Sequence, residues 1–309
     1  MGNLQFLIML LLSPLLQGVI KKIKALSQGR VGSGVLQPYR DLTRLFKKEM
    51  VIPDSASWVF HAAPYIAFMA VIAASMMAPV LNAGAPVFRM GDIIALIYTL
   101  ALGRFFLTLA GLDAGTAFGG EGSSREATVA ILVEPTMGLA IFTAAIAAGS
   151  TGIAAITKSS NILQSPANVL AFAAFFVALL AETGRVPVDN PDTHLELTMI
   201  HEGMVLEYSG RYLALLEWAH YMKQMLLFTV AIDLFFPFGV SAGGSFFALL
   251  PVIPKAGILY ALKLLLLAAA VAVTESSRAK LRFFQLPSLL GGAFVLALLS
   301  IITLVMLGR

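Results

Sequence analysis

Long apolar runs separated by shorter polar connections set the pattern of this chain. Eight runs, at roughly 3–20, 58–81, 91–111, 127–148, 167–181, 212–236, 248–273 and 286–307, lie near the ~20 residues a helix needs to cross the hydrocarbon core. The pattern predicts an all-α integral membrane protein built as a bundle of about eight transmembrane helices. The fifth run is short, and Glu182 extends it. The first run follows Met-Gly-Asn with no basic leader and no small-residue cleavage site, so it reads as a retained helix. No internal repeat, low-complexity tract or appended soluble domain interrupts the pattern, and residues 1–309 read as a single membrane domain.

Composition agrees with that pattern and narrows the chemistry. The chain is 59% hydrophobic and 12% charged, with a mean hydropathy of +0.87, outside the range of ordinary soluble domains. It has no cysteine, which excludes disulfides, iron–sulfur clusters and thiolate metal sites within it. Redox chemistry must therefore belong to a partner. Lys and Arg are distributed unevenly: fourteen fall on one side of the bundle, eight of these between Lys21 and Lys48, and four on the other. By the positive-inside rule both termini lie outside and the long charged connections are cytoplasmic. Contact with anionic lipid would explain part of so basic a face.

Depth along the runs separates the remaining charges. A rise of ~1.5 Å per residue places Glu134, Lys223, Lys263 and Arg104 deep in their spans. Asp92 and Asp233 fall nearer the outer face, and Asp113, Glu126, Glu182 and Glu217 nearer the cytoplasm. Unpaired charges are costly in hydrocarbon, so the mixed signs point to an interior polar network. Glu126, Ala130 and Glu134 recur every four residues on one helix face, and His220, Lys223 and Gln224 follow i, i+3, i+4 spacing. Such a set can be titratable stations of a proton relay or static ion pairs between helices. The connection Ala181 to Arg211 adds Glu182, Asp189, Asp192, Glu196, Glu202 and Glu207, six of the chain's 17 acidic residues, with His194 and His201. The spacing of the two histidines is too weak a signal to assign a metal, and no phosphate-cradling loop or nucleophile–base motif is present.

Long stretches carry a resemblance. GRVGSGVLQPYRDLTRLFKKEMVIP (Gly29 to Pro53), AETGRVPVD (Ala181 to Asp189) and EYSG (Glu207 to Gly210) resemble the membrane subunit beside the quinone cavity of respiratory complex I. GLDAGTAFGGEGSSREATVAILVEP (Gly111 to Pro135) resembles the homologous subunit of membrane-bound group 4 [NiFe]-hydrogenases and formate hydrogenlyases. The first loop is also nearer the hydrogenase form, lacking the longer Gly-Pro-Asn stretch of complex I. The resemblance implies an energy-coupling and anchoring subunit that links electron transfer in a peripheral arm to proton or sodium translocation, with no catalytic centre of its own.

By that resemblance Glu134 matches the family's buried glutamate, and Glu182, Arg185, Pro187 and Asp189 match its Glu, Arg, Pro and Asp. Asp192 and Glu196 match the outer acids of a triplet whose middle position is His194 here, and His220 replaces a glutamate before Tyr221. The implied relay comprises Glu126, Glu134, Glu182, Asp189, Asp192, His194, Glu196, Glu202, Glu207, Glu217, His220, Lys223 and Lys263. Arg30, Gln37, Pro38, Tyr39, Arg40, Asp41, Arg125 and Arg185 are the expected docking residues, with Pro38 alternatively shaping a loop-to-surface-helix turn. Expected partners are the large and small [NiFe]-hydrogenase subunits, an Fe–S ferredoxin-like subunit and antiporter-like membrane subunits. The [NiFe] centre and Fe–S clusters would reside in those partners, at the plasma (inner) membrane of a prokaryote. A quinone-site subunit of complex I, a stand-alone transporter and a purely structural anchor are the rival readings.

Overall fold

The computed structural model describes residues 2–80, 91–159, 165–189, 199–238 and 252–307. In chain order the helices are α1 (Gly2–Ser27), α2 (Gln37–Lys47), α3 (Trp58–Met77), α4 (Ile93–Asp113), α5 (Ala117–Ala148), α6 (Ile153–Ser159), α7 (Pro166–Glu182), α8 (His201–Val205), α9 (Gly210–Phe235), α10 (Val252–Ser277) and α11 (Leu286–Leu307). The eight expected spans coincide with α1, α3, α4, α5, α7, α9, α10 and α11. Six of these are long and apolar enough to cross a membrane, and α7 is a shorter apolar helix. The chain is a multi-pass membrane protein.

α9 is the axis of the bundle. Every residue from Gln224 to Phe235 is buried, so this helix can carry a charge such as Lys223 inward from its polar end. α3 packs along α4 and against α9, α1 packs on α9 and α10, and α5, α7 and α11 pack together. Small residues permit the close crossings: a Cβ at Gly103 of α4 would meet the Ala70 Cβ of α3 at 3.2 Å.

Helix ends depart from the expected boundaries for identifiable reasons. α1 runs on to Ser27, so Lys21, Lys22 and Lys24 lie on a helix rather than in a loop. The stretch GLDAGTAFGGEG, expected as a connection, is mostly helical. Thr116 caps α5 by accepting a hydrogen bond from the Gly119 N–H at 3.2 Å, and only a short turn separates α5 from α4. The glycines there mark close approach: a Cβ at Gly119 would sit 2.4 Å from the Gly111 carbonyl oxygen, and one at Gly122 would sit 2.9 Å from that of Ile200. In the first connection Gln37, Pro38, Tyr39, Arg40 and Asp41 open the amphipathic helix α2, with Pro38 in its first turn.

The EYSG motif is a corner. Tyr208 stacks on Phe60 at 4.0 Å and donates to the Phe60 carbonyl at 2.9 Å. Ser209 exchanges hydrogen bonds with the Val51 backbone, its hydroxyl donating at 3.0 Å and accepting at 2.7 Å. Gly210 has φ +54°, and a Cβ there would meet the Glu49 carbonyl oxygen at 2.8 Å. These contacts fix the entry of α9 against the start of α3.

Candidate functional site

Three carboxylates converge on one guanidinium inside the bundle. Arg104 of α4 contacts Glu126 of α5 (Nε to Oε1, 3.4 Å), Glu134 of α5 (Nη1 to Oε1, 2.8 Å) and Glu182 at the end of α7 through Nη2. The other Glu182 oxygen accepts from Lys223 Nζ of α9 at 2.6 Å. Four helices thus place three acids and two bases in contact. With all five ionised the cluster carries one net negative charge, so it can hold one additional proton within a continuous set of ion pairs.

Cavities extend the cluster in both directions. A cavity of about 50 Å³ between α3, α4 and α9 is lined by Arg104, Glu126, His201, His220 and Lys223. A second, of about 20 Å³, carries Arg104, Glu134 and Glu182 among apolar side chains. A third, of about 10 Å³, joins Glu126 and Glu182 to Asp189 and His201. Beyond Glu134 lies an open groove of about 690 Å³ between α4, α5 and α11, lined by Tyr98, Ile131, Gly138 and Phe294. The Glu134 side chain is 41% exposed there, the most open of the five.

The segment AETGRVPVD feeds this arrangement because its three charges part company. Gly184, at φ +56°, ends α7 with the Arg185 N–H donating to the Leu180 carbonyl at 2.8 Å. Glu182 points to Arg104 and Lys223. Arg185 turns away, 2% exposed, to Glu275 of α10 (3.1 Å), Gln224 of α9 (2.8 Å) and Gln17 of α1, while Lys24 reaches Glu275 at 3.4 Å. Asp189 receives Lys280 at 2.9 Å and accepts from the Ile200 and His201 amides at 3.2 Å each, which anchors the start of α8.

The other expected residues fall as follows. His201 and His220 lie against each other, ring centroids 4.8 Å apart and planes tilted by 34°, beside Glu126 and Lys223. Glu202, Glu207 and Glu217 are partly buried around the same corner. Lys263 is not part of the network; its ammonium rests on the Phe236 and Phe238 carbonyls at the far end of α9. Asp192, His194 and Glu196 lie outside the described residues. Of the expected docking set, Arg30 and Arg40 are exposed, and Gln37 donates to Asp41 at 2.8 Å. Tyr39 donates to the Leu11 carbonyl, and Pro38 is buried. Arg125 is half-buried, holding Glu121 at 2.7 Å and the Met199 carbonyl at 3.0 Å. Burial removes Arg185 from any docking surface. Glu275, absent from the expected set, proves to be its partner, and Arg104, recognised only by its depth, is the hub. Among the described residues no group of three or more His, Asp or Glu is arranged to hold a metal ion.

His201, in the connection between α7 and α9, offers a pH readout. Desolvation holds its pKa below the ordinary imidazole value; Glu126 opposes this, Lys223 adds to it, and Glu217 and Asp189 oppose it. Folding therefore favours the neutral ring. Its stabilising contribution is present above the unfolded value of about 6.5 and is lost as pH falls from there towards the folded pKa, by at most about 1.4 kcal/mol per pH unit. His201→Gln is expected to flatten the acid limb of thermal stability below that pH; an unchanged limb would assign the titration elsewhere.

A many-helix membrane bundle with a charged interior network of contacts defines the class: a polytopic membrane protein. The chain belongs to the NADH dehydrogenase family, whose sequence pattern matches residues 2–307. It is 34% identical to formate hydrogenlyase subunit 4 of Escherichia coli K12 over 308 residues, covering 97% of each chain. It is 37% identical to hydrogenase-4 component C of the same organism over 298 residues, covering 96% of this chain and 92% of that one. A subunit of the NADH-quinone oxidoreductase of Anaplasma phagocytophilum is 29% identical over 239 residues, covering 70% of this chain and 69% of that one. The fold matches a chain of the membrane-bound sulfane sulfur reductase, an archaeal respiratory membrane complex, with a TM-score of 0.81 at 18% identity, covering 97% of each chain.

Proposed function

We propose that this chain is the membrane-embedded coupling and anchoring subunit of an energy-converting hydrogenase-type complex. The single observation that carries the reading is the Arg104 cluster, in which three carboxylates share two cations and open onto a line of cavities between Asp189 and Glu134. A shift of the loop Ala181–Arg211, driven from a peripheral arm, moves Glu182 relative to Arg104 and Lys223. When Lys223 leaves Glu182, the freed carboxylate gains affinity for a proton; when it returns, that proton is released towards Glu126 or Glu134. Near-full-length similarity to formate hydrogenlyase subunit 4 and hydrogenase-4 component C favours a hydrogenase arm over a quinone-reducing one.

On this reading the partners are [NiFe]-hydrogenase subunits, a ferredoxin-like Fe–S subunit and antiporter-like membrane subunits. The exposed Arg30, Arg40 and Arg44 with the rest of α2 face the peripheral arm on the cytoplasmic side, and both termini lie outside. The complex sits in the inner membrane of a prokaryote, and the Glu134 groove faces a neighbouring membrane subunit.

Lys223→Gln tests the coupling in the assembled complex, in closed membrane vesicles. Hydrogen turnover is expected to persist while proton translocation falls to background, because Glu182 loses the cation that switches its proton affinity. Translocation and turnover both at wild-type level would overturn the proposal. Parallel loss of both, with the complex intact, would overturn the expected separation of translocation from turnover.

A further inference from the structure

The Arg104 cluster leaves one buried acid unused. Among the described residues, Glu126, Glu134, Glu182, Asp189 and Glu275 each have an ion-pair partner. Asp233, two residues from the end of α9, has none: it is 0% exposed and neither carboxylate oxygen has a hydrogen-bond partner. An ionised carboxylate there would have surrendered its water with no partner to replace it. A proton removes that cost and leaves a neutral carboxylic acid.

The surroundings supply a counter-charge that is close but engaged elsewhere. Lys263 of α10 reaches across the α9–α10 seam to the end of α9 that carries Asp233. Its ammonium donates instead to the carbonyls of Phe236, at 2.5 Å, and Phe238, and lies 6.0 Å from the centre of the Phe238 ring. Acceptors of this kind, at the C-terminal end of a helix, draw a cation without needing a carboxylate. Thr229 and Asp233 stand four residues apart on α9, and Tyr260 and Lys263 stand three apart on α10. A hydrogen bond of 2.7 Å between the Thr229 and Tyr260 hydroxyls holds the two rows together. On the other side, α7 presents Phe172 and Phe175 to Phe235. Among the described residues, Lys263 and Tyr260 are the titratable side chains that α10 hydrogen-bonds to this end of α9.

We propose that Asp233 is a protonated, releasable carboxylic acid that forms, with Lys263 as its movable counter-charge, a second proton-exchange site at the end of α9 remote from Arg104. In one state Asp233 is neutral and the Lys263 ammonium occupies the helix-end carbonyls. In the other, the Asp233 O–H bond breaks, the proton passes to water at that end of the bundle, and the ammonium swings onto the carboxylate. The charge on the pair falls from plus one to zero, one proton leaves, and nothing is oxidised or reduced. Lys223 and Asp233 are ten residues apart on α9, so the two sites are separated by ~15 Å along one buried helix.

Infrared difference spectroscopy of the intact purified complex tests the assignment without relying on hydrogen turnover or coupling. Subtracting Asp233→Asn from wild type at neutral pH is expected to show one carboxylic-acid C=O band that shifts in heavy water. In Lys263→Gln that band is expected to persist at alkaline pH where wild type loses it, because the cation that replaces the proton is gone. Asp233→Leu provides the same subtraction if the Asn variant fails to assemble. A wild-type spectrum carrying an ionised carboxylate at this position, or a Lys263→Gln titration identical to wild type, overturns the proposal.

Discussion

Replacing Arg104 with leucine is expected to destabilise the protein by about 3–5 kcal/mol, the range for removing one partner of a buried ion pair. The substitution should reduce the complex in membranes far more than neutralising any single glutamate does. The asymmetry follows from connectivity. Glu126, Glu134 and Glu182 all contact this guanidinium, whereas Lys223, among the described residues, pairs with Glu182. Without Arg104 three carboxylates face one another with a single cation among them, and two must take up protons or water. Arg104→Lys should recover only part of the loss, because a point-charge ammonium cannot serve three acids at once as a planar fork does. Combining Arg104→Leu with Glu126→Gln and Glu134→Gln should restore accumulation, since Glu182 then retains Lys223 and the other two sites are neutral. Immunodetection of the chain in membranes and thermal unfolding of the purified complex check the order of these variants. If Arg104→Leu matched wild type, the convergence of the three acids on Arg104 would carry no energetic weight.

Hydropathy and charge placement carried much of this architecture, because span length and burial depth are one-dimensional properties. The eight apolar runs fall on helices, six of them long and apolar enough to cross a membrane, and Arg104, Glu134 and Lys223 lie within three of the helices. Azimuth is where the reading failed. Lys223 and Lys263 are both deep, yet one faces Glu182 and the other faces the end of α9, and no spacing within a single helix distinguishes them. Pairing across long separations was equally hidden: Arg185 and Glu275 lie ninety residues apart, and Glu275 drew no notice near the end of an apolar run. The glycine-rich stretch after Asp113 looked like a loop because glycine is a poor helix former. It is helical, and its glycines let α5 approach Gly111 and Ile200 more closely than a side chain permits. The acids of Ala181–Asp189 were rightly noticed as a group, but their individual roles depend on the Gly184 turn, which sends Glu182, Arg185 and Asp189 to three different partners.

The second network should behave differently under paired substitution, and the contrast separates structural charge from exchangeable charge. Arg185→Leu leaves Glu275 with Lys24 alone, at 3.4 Å, and strips Gln17 and Gln224 of their donor. The expected cost is again about 3–5 kcal/mol. Glu275→Leu strands the buried guanidinium and should cost a similar amount. The double variant, Arg185→Leu with Glu275→Leu, removes both desolvated charges and is expected to return to within about 1–2 kcal/mol of wild type, a coupling of several kcal/mol in a double-mutant cycle. It should also leave hydrogen turnover and proton translocation intact, because, among the described residues, none of this network's ion pairs includes a side chain of the Arg104 cluster. The measurement is unfolding of the four members of the cycle, paired with vesicle translocation for the double variant. Additive losses would mean that Arg185 and Glu275 act through separate partners. A stable double variant that no longer translocates protons would place the α1–α9–α10 network on the coupling path itself.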